Sequence, residues 1–157
     1  MTTNPSGAAE RLTALGGELV VVHDGLREEL ARLRAGVAGG RRRERGLREH
    51  CAAFCGALTE HHTGEDAVMF PELAREYPEL RPVLEQLTED HRMISGLVEA
   101  LEQVLAGVGD EPGEEEVARV RSRLDGLGAI MESHFAFEER RIVTALNGLR
   151  GPRGPRG

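Results

Sequence analysis

The sequence predicts an all-α fold, an antiparallel up-down four-helix bundle, and three observations carry the prediction. Apolar residues recur at steps of three and four in four separate stretches, which marks one stripe of an amphipathic helix, and the strict alternation of a half-buried strand is absent. Breaks rich in glycine and proline separate these stretches. The chain has 157 residues, the size of one domain, which buries roughly 70% of its unfolded surface without disulfides or other staples.

The first stretch places Leu12, Leu15, Leu19, His23, Leu26, Leu30, Leu33 and Val37 on one stripe and closes at "GVAGGRRRERG". The second runs through Leu47, Cys51, Phe54, Leu58, His61, Glu65 and Val68, with "FPELAREYP" as its connector. The third holds Leu80, Leu84, Leu87, His91, Ile94, Val98, Leu101 and Leu105 and ends at "AGVGDEPGEEE". There Asp110 or Gly113 can open the next helix, and Glu114, Glu115 and Glu116 suit the positive end of its dipole. The fourth carries Val120, Leu124, Leu127, Met131, His134, Glu138 and Ile142. The ending "GPRGPRG" neither helices nor packs, so the bundle is expected over residues 1–148 and a disordered tail over 149–157.

A net charge of −7 argues against general affinity for nucleic acid. The arginine run at 41–45 reads as a solvated loop. No apolar run approaches the ~20 residues that span a bilayer, which points away from a membrane partner. The N-terminus lacks a secretory pattern, so the cytoplasm is the expected location. Cys51 and Cys55, one helical turn apart, are expected as reduced thiols. The outer faces are rich in arginine and glutamate, which fits a monomer or a homodimer.

Polar residues interrupt these stripes in a pattern. In "TEHHTGEDAVMFPEL" a carboxylate follows each of two histidines by four residues. The second stripe passes through His61 and Glu65, while His62 and Asp66 fall about 100° around the helix. The inward pair is therefore expected to be His61 and Glu65, with His62 and Asp66 flanking it. "MESHFAFEER" repeats the step with His134 and Glu138, and His23 and His91 lie on the stripes of the first and third helices. A buried unpaired carboxylate costs several kcal/mol or stays protonated. Four neutral imidazoles do not neutralise two carboxylates, so six such residues converging in one core call for cations. Imidazole and carboxylate without thiolate suit iron, manganese or zinc, and six ligands exceed what one tetrahedral zinc takes. Two non-haem iron ions, bridged by glutamates, are the natural occupants. Asp66 and Glu139 are placed to accept N–H bonds from metal-bound imidazoles. His50 lies about 16 Å from His61 along the helix and has a packing or capping role instead.

These residues resemble the hemerythrin-like, or HHE cation-binding, four-helix bundles. The resemblance runs from His23 to Glu138 through "VVHDGL", "HHTGEDAVMFPEL", "EDHRMI" and "SHFAFEE", one per helix. It implies that His23 and His61 bind one iron, His91 and His134 the other, and that Glu65 and Glu138 bridge. Oxygen-carrying hemerythrins have a second histidine one turn from the first on the third helix, whereas Leu87 and Ser95 stand around His91. An additional open coordination position is therefore expected on the second iron. The ligand implied is a small molecule, O2, H2O2 or NO. Two functions remain open, decomposition of hydrogen peroxide and non-enzymatic sensing or storage of oxygen or iron.

Overall fold

The computed structural model describes residues 5–39, 46–109 and 111–147. The arginine run, Asp110 and the proposed tail lie outside the described residues. Helix α1 spans Pro5–Gly39. Helix α2, Leu47–Gly64, runs through a π-helical turn, Glu65–Met69, into α3, Phe70–Glu76. A 3-10 turn at Pro78–Leu80 leads into α4, Arg81–Ala106. Helix α5, Glu114–Glu138, likewise passes through a π turn, Glu139–Val143, into α6, Thr144–Asn147. The result is four rods, with α1 and α4 each packed against both the α2 and the α5 rods. It is the four-helix bundle that the stripes predict.

Local chemistry explains the rod ends. Tyr77 leaves helical geometry at φ −133° and ψ 75°, because the proline that follows disfavours the α region before it. Pro82 falls in the first turn of α4, where its missing N–H costs nothing. Gly113, rather than Asp110, caps α5: its N–H donates to Glu116 Oε1 at 3.2 Å and its carbonyl accepts from Val117 N at 3.0 Å.

Two expectations about the second rod need correction. "FPELAREYP" is not a loop, since Phe70–Glu76 continues the helix. Val68 is not on the core face: it is 65% exposed, and Met69 and Phe70 are buried in its place. The π turn accounts for both. Successive steps of four overshoot an α-helix of ~100° per residue by ~40° each, and a wider turn absorbs the excess. Phe70 N–H bonds to Glu65 O, five residues back, and the widened turn makes room for the ring of Pro71. Thr144 N–H makes the equivalent bond to Glu139 O, so Ile142 and Leu146 stay inward.

The core falls into two apolar clusters. The larger includes Leu30, Leu33, Phe54, Leu58, Ile94, Leu101, Leu124, Leu127 and Phe135. The smaller comprises Leu19, Met69, Phe70, Leu73, Val83, Leu84, Leu87, Ile142 and Leu146. On every rod inward-facing polar residues mark the boundary between the two clusters: His23 on α1, His61, His62 and Glu65 on the second rod, His91 on α4, and His134 and Glu138 on α5, where Phe135 of the larger cluster lies between them. Cys51 and Cys55 are buried in the larger cluster as thiols, with no disulfide between them, and burial pushes the Cys55 thiol up to about 12, so it stays protonated. Among the described residues no helix is long and apolar enough to cross a membrane.

Candidate metal centre

All six residues picked from the sequence meet in this polar layer, and a seventh joins them. His23, His61, Glu65 and Glu138 offer ligand atoms within 4.8 Å of one another, as do His62, Glu65, His91 and His134. Either group could hold a metal ion, and Glu65 belongs to both. Glu65 Oε1 lies 3.6 Å from His61 Nε2 and 3.1 Å from His91 Nε2. Glu138 Oε1 lies 3.2 Å from His23 Nε2 and 3.7 Å from His134 Nε2. Each carboxylate thus faces one imidazole from each group, the arrangement a bridging ligand needs.

His62 is the correction. It does not merely flank the layer: it is buried, with its Nε2 among the inward-facing donors. Both neighbours point inward because a rod in a bundle faces two others, and the inward arc is wide enough for side chains ~100° apart. His61 leans towards α1, edge-on to His23 at 5.1 Å between ring centroids. His62 leans towards α4 and stacks on His91 at 3.9 Å, with 15° between the planes. The gap expected beside His91 is therefore taken by His62, and the His23 and His61 side has the fewer imidazoles.

Three imidazoles are fixed from outside the layer. His23 Nδ1 donates to Glu139 Oε2 at 2.8 Å, His91 Nδ1 to Asp66 Oδ1 at 2.8 Å, and His134 Nδ1 to Asp90 Oδ2 at 3.1 Å. With the Nδ1 proton committed to a carboxylate, the Nε2 lone pair is left facing the centre. Glu139 is itself gripped by Arg27, whose guanidinium donates to both its oxygens and lies 5.4 Å over the Phe135 ring. Phe135 in turn stacks on His23 at 3.8 Å. The roles of Asp66 and Glu139 follow the sequence reading, whereas Asp90 and Arg27 escaped it. Asp90 stands next to His91 in "EDHR" but serves His134 across the rod interface, and no spacing within one helix signals that. His50 lies away from the layer and pairs with Glu29 of α1 through Nε2.

The donor set fits cations on one observation above all. Nine buried side-chain atoms find no hydrogen-bond partner: the Nε2 atoms of His23, His61, His62, His91 and His134, and both oxygens of Glu65 and of Glu138. Buried polar atoms are almost always paired, and here all the exceptions among the described residues converge on one layer. Without a cation the electrostatics are costly. Burial, then the carboxylate of Glu138, pushes the Glu65 carboxyl far above its ordinary range. Burial, then His23, lowers His61 to about 4, and burial likewise lowers His62 and His91. These three imidazoles are thus held neutral, the form that binds metal.

The family model for the hemerythrin HHE cation-binding domain matches residues 17–146. No curated protein and no solved structure gives a significant match. That match spans all four rods and contains every residue of the polar layer, so the chain belongs to the hemerythrin HHE cation-binding family.

Proposed function

We propose that the chain is a non-haem di-iron protein that binds O2, hydrogen peroxide or NO and decomposes hydrogen peroxide. The nine unpartnered atoms in one buried layer carry this reading. His23 and His61 would hold one ion, His62, His91 and His134 the other, with Glu65 and Glu138 shared between them. Seven donors of imidazole and carboxylate, with no thiolate, exceed what a tetrahedral zinc site takes and suit iron. A pair of redox-active ions there supplies the binding and electron exchange that such small ligands require. The chain's own residues do the rest. Glu65 and Glu138 would offset half the charge of a divalent pair, Glu139, Asp66 and Asp90 fix three imidazoles in the ligating tautomer, and the apolar clusters above and below exclude bulk water. Dismutation of two peroxides to dioxygen and two waters is balanced without any further reductant, which suits a site that has no second reactant to bind.

The test is to produce the protein with iron, count iron per chain, and record its visible and near-ultraviolet absorption. Two iron ions with charge-transfer bands support the reading, and a colourless protein without stoichiometric metal ends it. Dioxygen release on adding peroxide then marks turnover, whereas a shift of the bands without release marks sensing or storage. Glu65→Ala should abolish the bands and Asp66→Ala should leave most of them.

A further inference from the structure

His62 combines two features that no other inward imidazole has together. The Nδ1 atoms of His23, His91 and His134 are each tied to a carboxylate, but among the described residues no such carboxylate tie is found for His61 or His62, and the Nε2 of each is unpartnered. Metal-bound histidines almost always have such a tie, and it is what fixes ring orientation. His62 also faces space that His61 does not. A cavity of about 220 Å³ opens between α2 and α4, with His62 and His91 in its wall together with Thr59, Thr63, Arg92 and Ser95. Ser95, one turn beyond His91, is exposed and small, which leaves this space beside the stacked rings unfilled.

The cavity's character sets the ligand class. Three hydroxyls, the Arg92 guanidinium and the Asp66 carboxylate stand among the aliphatic side chains of Leu58, Ile94 and Val98, so the wall offers polar contacts at a few points only, and the volume is below the ~300 Å³ at which pockets for larger organic ligands begin. Peroxide and small anions fit. The space also exceeds what one imidazole ring needs, so a rotation of His62 into it would give up its stacking on His91 and its edge contact with His134.

We infer that His62 is an exchangeable ligand of the centre and that the cavity between α2 and α4 is the route by which a small polar ligand reaches the metal. The inference rests on the di-iron reading above. With His62 inward, its ion is held by three imidazoles; with His62 rotated out, His91 and His134 remain on one side and His23 and His61 on the other. The vacated place then faces the cavity. Glu65, Glu138 and the three tied imidazoles stay put, so the ions are retained while the ligand exchanges.

Azide is a suitable probe, followed by stopped-flow absorbance on the iron-loaded protein, with iron per chain measured on each variant. His62→Ala should keep both irons and bind azide about tenfold faster, and Ser95→Phe, which plugs the cavity, should keep both irons and bind it about tenfold more slowly. Ser95→Leu is the milder plug if the phenylalanine disturbs folding. Loss of one iron in His62→Ala would show a fixed structural ligand and overturn the inference, as would azide rates unchanged in both variants. A wild-type protein that takes up no iron would overturn the di-iron reading and this route with it, whereas normal iron uptake with unchanged azide rates would overturn the route alone.

Discussion

Glu65 and Glu138 face each other across the centre, and of the two Glu65 bears the heavier cost when no cation is present. Its carboxyl, raised by burial and by Glu138, keeps a proton in the folded chain that the unfolded chain, near 4.5, releases. The folded state therefore binds more protons, and the metal-free protein loses stability as pH rises above that value. Glu65→Gln removes this penalty. It should raise the stability of the EDTA-treated protein at pH 8 by about 2 kcal/mol, seen as a higher melting temperature, while abolishing iron uptake. His61 acts with the opposite sign. Its folded value of about 4 lies below the unfolded 6.5, so the unfolded chain binds more protons between the two. Thermal melts of the metal-free protein should accordingly fall as pH drops from 6.5 towards 4, with His62 and His91 adding in the same direction.

At the scale of the helices, the outside ties and the π turns do the positioning. Asp90→Ala removes the tie on His134 and should weaken iron affinity by ~10–100-fold, measured by competition with a chelator, with little change in helical content. The π turn after Glu65 invites a different test. Deleting exposed Val68 together with Pro71→Ala restores a plain α-helix in which Met69, Phe70 and Leu73 still reach the core face. Helical content and the metal-free melting temperature should then stay near those of the wild type, while iron occupancy falls because Glu65 and Asp66 lie in the altered turn. These same features mark where the sequence was legible. Four stripes of constant period disclosed the rods and six of the seven inward donors. They failed at His62, because a single helical wheel assumes one inward direction where a bundle rod has two neighbours. They failed at Val68, because a constant period does not register a widened turn, although Pro71 just beyond it was a sign that the plain helix was interrupted. Asp90 was illegible for a third reason, since its partner lies on another rod.

For the molecule as a whole, the polar layer cuts the apolar core in two, and among the described residues the larger cluster has twice as many buried residues as the smaller. Cations bound in the layer would join the halves and stabilise the folded state by mass action, by about 4 kcal/mol when the ion stands at a thousand times its dissociation constant. Chelation should therefore be felt unevenly. Hydrogen exchange on the EDTA-treated protein should speed up first around Leu19, Met69, Leu73 and Ile142, and last around Leu33, Leu101 and Leu124, whereas the iron-loaded protein should exchange as one unit.

The outside ties carry one more implication. Each crosses from one rod to the next: Glu139 from beyond α5 to α1, Asp90 from α4 to α5, and Asp66 from beyond α2 to α4. Helix α4 contributes Asp90 to one tie and His91 to another from adjacent positions, so a slide of α4 along its axis strains both hydrogen bonds at once and turns two imidazoles together. The centre is in effect a strain gauge mounted across three of the four seams of the bundle. In an iron-loaded centre, a force applied to the surface of α4 would register in the absorption bands.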